Sequence, residues 1–77
     1  MAKFLFQDYG HGDRIIIDAT NLTQAKNKFV KYTMEQQDAT YRQYAPSKLH
    51  TYTEKDARRY MNEEVEIYEL GKDIKEL

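Results

Sequence analysis

Residues 4–18 constrain the fold of this 77-residue chain more than any other stretch. They contain two apolar runs, 4–6 (FLF) and 14–18 (RIIID), which are too short for helices and rich in the aromatic and β-branched residues typical of strands. The intervening sequence DYGHGD consists of residues that tolerate the backbone conformations of tight reversals. We therefore predict a β-hairpin with apolar groups on both faces, Phe4, Phe6, Ile15 and Ile17 on one and Leu5 and Ile16 on the other. Because both faces are apolar, we expect part of each to be covered.

The residues after the hairpin indicate a helix that packs on a sheet. Asn21 can cap its start, and Gln24 three positions later completes a capping-box pattern. The apolar residues that follow have helical spacing (Leu22, Ala25, Phe29, Val30 and Met34). The same periodicity can continue as far as Ala45-Pro46, where the residue before proline resists helical geometry, and so the sequence leaves the end of this helix open.

A second helix and a third strand complete the pattern. Thr53 and Asp56 form another capping pair, and Ala57, Tyr60 and Met61 give this helix an apolar, core-facing stripe. Residues 65–70 (VEIYEL) alternate as a strand does, and Gly71 closes them. The order ββααβ predicts a single α+β domain spanning 1–77, with a three-stranded, mainly antiparallel sheet packed by two helices. We place the C-terminal strand beside the first strand.

Composition narrows the chemistry. The chain has no cysteine, which excludes disulfides, iron–sulfur clusters and zinc ribbons, and His11 and His50 are its two histidines. The absence of cysteine fits a reducing compartment. No apolar run approaches the roughly 20 residues of a membrane span, and the N-terminus lacks the apolar stretch of a signal peptide. We therefore expect a cytoplasmic protein without a membrane partner.

Three groups of residues could suggest a catalytic or metal site. Asp8, His11 and Asp13 are metal-ligand types, but a turn of this composition usually spreads its side chains into water. Ser47 and His50 are close in sequence but lack the strand–turn–helix elbow of a nucleophile. Neighbouring carboxylates on a helix, such as 63–64 (EE), point apart. We expect a solvated turn, no metal, no cofactor and no enzymatic activity.

Residues 40–60 have the composition of a partner-binding surface. They contain four tyrosines and five basic residues around the single proline, and tyrosine and arginine are enriched in interfaces. The predicted contact residues are Tyr41, Arg42, Tyr44, Arg58 and Arg59. The acidic residues near the C-terminus are a second candidate face, suited to a basic partner or to mimicry of nucleic acid (Glu63, Glu64, Glu66 and Glu69).

Several partners fit these surfaces. The order of strands and helix, with the motif A-x-N-L-x-x-A at 19–25, resembles small one-domain proteins that phages and bacteria encode. That resemblance implies docking on a larger host or cellular protein, as an inhibitor or an adaptor. The alternative is binding of single-stranded nucleic acid by the basic and aromatic segment 40–60. Between 26 and 59 the chain has a surplus of four positive charges, whereas 62–77 has a surplus of four negative charges, which argues against a general polyanion binder. Apolar groups on the second sheet face also leave room for a homodimer.

Overall fold

The computed structural model describes residues 1–44 and 52–71, without the side chains at positions 41 and 44. Two strands, β1 (Ala2–Asp8) and β2 (Asp13–Ala19), precede two helices, α1 (Leu22–Tyr44) and α2 (Glu54–Glu64), and a third strand, β3 (Val65–Leu70), follows them. The predicted order ββααβ and the α+β class are confirmed. No helix in the described ranges is long and apolar enough to cross a membrane.

The sheet is antiparallel throughout, with the strand order β2-β1-β3. β1 is therefore the central strand, and the predicted position of the last strand beside the first is correct. Leu5 of β1 is in register with Ile16 of β2 and with Tyr68 of β3. Because side chains of paired residues lie on the same face of a sheet and successive residues alternate, this register fixes which residues share each face.

The face that carries Phe4 and Phe6 forms the core with both helices. Phe6 is fully buried, and its ring stacks on Phe29 of α1, with centroids 4.7 Å apart and planes 8° from parallel. The remaining buried apolar residues are Ala19, Ala25, Val30, Ala57 and Met61. Ile15, Ile17, Val65 and Ile67 pack against this cluster from the two outer strands, as the predicted alternation requires.

The predicted capping box is complete at α2 but only half formed at α1. The Asn21 side chain accepts a hydrogen bond from the backbone N–H of Gln24 at 2.8 Å, but the Gln24 side chain accepts from Thr20 rather than from Asn21. At α2 both reciprocal bonds between Thr53 and Asp56 are present. Each cap satisfies backbone donors that the first turn of a helix leaves unpaired. α1 is helical through Tyr44, and Ala45-Pro46, up to which the periodicity can continue, lies outside the described residues.

Candidate functional site

The turn between β1 and β2 holds a polar cluster that includes a buried carboxylate. Asp8 is 5% exposed, and its side chain accepts hydrogen bonds from the Tyr60 hydroxyl and from the backbone N–H of His11, the latter at 3.1 Å. The His11 Nδ1 atom lies 3.1 Å from the Asp8 carboxylate and 2.7 Å from the Tyr60 hydroxyl oxygen. The prediction that this turn spreads its side chains into water is therefore wrong for Asp8. The physical reason is that α2 places Tyr60 at the turn, where its hydroxyl donates a hydrogen bond to Asp8.

The charge state of Asp8 follows from these bonds. Burial by itself raises the pKa of Asp8, but the hydrogen bonds from Tyr60 and His11 outweigh it and hold this pKa below its ordinary value. Burial and the nearby Asp8 carboxylate raise the pKa of the Tyr60 hydroxyl well above its ordinary value. At neutral pH the pair is thus a phenol that donates to a carboxylate. Such charge-assisted bonds are about twice as strong as neutral ones.

Asp8, His11 and Tyr60 connect the hairpin to α2, and we call this cluster the turn clamp. His11 meets Asp8 and Tyr60, but its side chain is 60% exposed, and Asp13 is exposed as well. Among the described residues, no group of three or more histidine or acidic side chains could hold a metal ion. Gly10 passes so close to the Tyr60 hydroxyl that a Cβ at position 10 would collide with it. The close approach explains a glycine at that position.

The three predicted arginines each form an ion pair within their own helix. Arg42 lies 2.9 Å from Asp38, Arg58 lies 2.8 Å from Glu54, and Arg59 lies 3.2 Å from Asp56. Arg58 also donates to Asn27 of α1 at 2.8 Å, which ties the two helices together. Their charges are therefore partly neutralised before any partner arrives. The side chains of Tyr41 and Tyr44, and the pair Ser47 and His50, lie outside the described residues.

The predicted acidic face is divided by the fold. Glu63 and Glu64 are exposed at the end of α2. Glu66 accepts hydrogen bonds from Tyr9 at 2.9 Å and Tyr68 at 2.5 Å. Glu69 is in register with Phe4 and so lies on the face that carries the helices, whereas Glu66 lies on the opposite face. The structure does not bring the four glutamates together on one surface.

The second face of the sheet, which we call the open face, has no described element over it. Its central row consists of Ile16, Leu5 and Tyr68, side by side on the three strands. Ile16 is 60% exposed, and Leu5 and Tyr68 are half-buried. The flanking rows are mostly polar, with Asp18, Lys3 and the apolar Leu70 in one and Arg14, Gln7 and Glu66 in the other.

Hydrogen bonds order the polar rows of the open face. Lys3 pairs with Asp18 at 2.8 Å, and Arg14 donates to Gln7 at 2.9 Å. The hydrogen bond to Glu66 raises the pKa of the Tyr68 hydroxyl to about 12, so this tyrosine is neutral at physiological pH. An apolar strip between ordered polar rows has the general anatomy of a protein interface, in which an apolar centre is surrounded by a polar rim.

The sequence predicted the open face but not the turn clamp. Leu5 and Ile16 were expected on the second face from alternation alone, whereas the contact between Tyr60 and Asp8 joins residues 52 positions apart. No protein-family model, curated protein or solved structure matches the chain.

Proposed function

We propose that the protein is a non-catalytic interaction module that binds a larger protein, as an inhibitor or an adaptor, through the open face. The observation that carries this proposal is the row of Ile16, Leu5 and Tyr68, which is apolar, contiguous and left uncovered by both helices. Removing apolar surface from water contributes about 25 cal/mol per Å², from which the free-energy cost of association is subtracted. The partner surface that fits is an apolar ridge flanked by charges of both signs.

The open face supports this function better than the tyrosine- and arginine-rich segment does. Arg42, Arg58 and Arg59 are already paired with carboxylates, and a partner would have to replace those bonds. Exposed ion pairs of this kind contribute roughly 0–1 kcal/mol, so replacing them costs little, but it also gains little. These arginines remain predicted contacts at the margin of the complex.

Binding of nucleic acid is the less favoured alternative. A single-stranded platform needs unneutralised positive charge beside exposed aromatic rings, whereas the described arginines of segment 40–60 pair with acids. The mimicry version needs a continuous acidic face, and Glu66 and Glu69 lie on opposite sides of the sheet. Because the chain lacks cysteine, we place the partner in the reducing cytoplasm.

The test is retention of a partner from bacterial lysate by the immobilised protein. Ile16→Glu puts a charge into the apolar row at an exposed position, and Leu22→Glu is the matched control, an exposed aliphatic residue at the start of α1. We expect the wild type and Leu22→Glu to retain one protein in stoichiometric amount and Ile16→Glu to lose it. Circular dichroism checks that both variants keep the fold.

Three other results would change the proposed binding surface or the proposed partner. Equal retention by Ile16→Glu would exclude the open face as the binding surface. Loss on replacing Arg58 and Arg59 instead would assign binding to the helical side. Micromolar binding of single-stranded oligonucleotides that weakens steeply with added salt would replace the proposal by the nucleic-acid alternative.

A further inference from the structure

The charges on the open face have an order that is complementary to itself. On β2, Arg14 and Asp18 lie two residues to either side of the exposed Ile16, so a positive and a negative charge flank the apolar row. On β1, Gln7 and Lys3 hold the matching positions around Leu5. Two such faces can meet about a two-fold axis that runs along the apolar row. The row Asp18, Lys3 and Leu70 of one copy then lies over the row Arg14, Gln7 and Glu66 of the other.

We infer that a second copy of this chain covers the open face in the free protein, an inference that rests on the proposed function of this face in protein binding. In this arrangement Arg14 of each copy faces Asp18 of the other, which gives two ion pairs across the interface. Leu5 meets Leu5, and Ile16 meets Ile16, in a dry central strip. Lys3 faces the neutral Gln7 and Glu66 faces Leu70, so no like charges oppose each other. Asp18 also keeps its ion pair with Lys3 of its own copy.

The other simple arrangement is less favourable. A two-fold axis along β1 would set Arg14 over Glu66 of the other copy, but it would also put Lys3 directly over its own copy in a flanking row, where like charges cost free energy. At the edge strand β2, Lys28 of α1 donates to the backbone carbonyl of Asp18 at 2.7 Å, so a lysine already occupies this carbonyl near the strand end. Blocking an edge with a lysine is a common protection against strand pairing. The face is therefore the better surface for a second copy.

The size of the face sets the strength of the dimer. Three rows on three strands span about 20 by 14 Å, given a rise of about 3.3 Å per residue and a strand spacing of about 4.8 Å. Two such faces bury less than the roughly 1,200 Å² of a standard stable interface, so the dimer is weak and exchanges. A larger partner that binds the open face more tightly would displace the second copy. Self-association then competes with the proposed function.

The decisive experiment uses charge reversal on β2. Sedimentation equilibrium from about 5 to 500 µM chain, a range chosen for a weak interface, measures self-association of the wild type, Arg14→Asp and Asp18→Arg. Each single variant opposes like charges across the two-fold axis, and we expect at least a tenfold weaker dimer. An equimolar mixture of the two variants restores both ion pairs, and we expect a heterodimer at least as strong as the wild-type dimer. All substituted positions are exposed, and thermal unfolding verifies their folds.

The results separate this inference from the proposed function. A wild type that is monomeric at every concentration, or a mixture that associates no better than its components, would overturn the second copy as occupant. Retention of a lysate partner that depends on Ile16 would then still support the proposed function. If the dimer shows the predicted charge rescue but no lysate protein is retained, self-association is supported and the proposed binding of a larger protein is contradicted.

Discussion

Replacing Tyr60 by phenylalanine tests the clamp between the hairpin and α2. The substitution keeps the ring, which lies beside His11 with centroids 5.4 Å apart, and removes the hydroxyl that donates to Asp8. Asp8 then stays buried with its charge and keeps the hydrogen bond from the backbone N–H of His11. We expect a less stable protein with an unchanged fold. The carboxylate is still desolvated in the folded state, but one strong hydrogen bond that offsets this desolvation is lost.

The expected loss is about 2 kcal/mol of unfolding free energy, since a hydrogen bond to a charged group contributes about 1.5–3 kcal/mol. For a domain of this size, 1 kcal/mol shifts the melting temperature by about 4–8 °C, so the shift expected for Tyr60→Phe is about 8–16 °C. Urea unfolding followed by circular dichroism measures the difference. Tyr32→Phe is the matched control, because Tyr32 is an exposed tyrosine on α1, and its change should stay within about 0.5 kcal/mol.

The pH dependence identifies the source of the loss. The pKa of folded Asp8 lies below its ordinary value of 3.8, so its contribution to stability is complete well above that value and disappears as the pH falls through the folded pKa. The difference between wild type and Tyr60→Phe should therefore shrink as the pH falls from about 7 toward about 3. An equal difference at both pH values would refute the argument, because the lost interaction would then not involve ionised Asp8.

Three further substitutions test the fold around the site. Gly10→Ala should lower the free energy of unfolding by about 1–2 kcal/mol, because the new Cβ collides with the Tyr60 hydroxyl. In the Tyr60→Phe background the loss should be less than half of that. A thermal double-mutant cycle measures the difference, and equal losses in both backgrounds would exclude this contact. Phe29→Ala, which removes the ring stacked on Phe6, should cost about 3–5 kcal/mol or unfold the protein in urea titrations. Thr53→Ala should cost about 1 kcal/mol by removing the cap of α2, and no measurable change in urea stability would contradict the role of that cap.

Local patterns were sufficient to predict most of the fold. The alternation of Phe4, Leu5 and Phe6 fixed the two faces of β1, and the register of the sheet agrees with it. The cap at Thr53 involves residues three positions apart, and such contacts can be read from sequence because the helix geometry brings them together. Which residues share each face likewise follows from periodicity, which requires no knowledge of distant contacts. The expectation that part of the second face is covered is not met among the described residues, where Ile16 is 60% exposed.

The burial of Asp8 could not be read from local pattern. Its main donor, Tyr60, is on a different element, and the sequence alone gives no register between the turn and α2. Tyr60 was expected to face the core beside Ala57, but it is half-buried and its hydroxyl donates to Asp8. A tyrosine at that position predicts an apolar contact as readily as a hydrogen bond. The division of the glutamates has a similar cause, because Glu66 and Glu69 are separated by an odd number of strand positions and therefore point to opposite faces.

The turn clamp and the open face lie on opposite sides of the same strands, and this placement makes their roles separable. Asp8 faces the helices, whereas its neighbour Gln7 faces outward, so Tyr60→Phe weakens the clamp without altering the outer surface. Ile16→Glu changes the outer surface without touching the core. If the clamp serves folding and the face serves binding, Tyr60→Phe should lower stability while partner retention persists below its melting temperature, and Ile16→Glu should do the reverse. The opposite result would identify the cluster at the turn as the binding site.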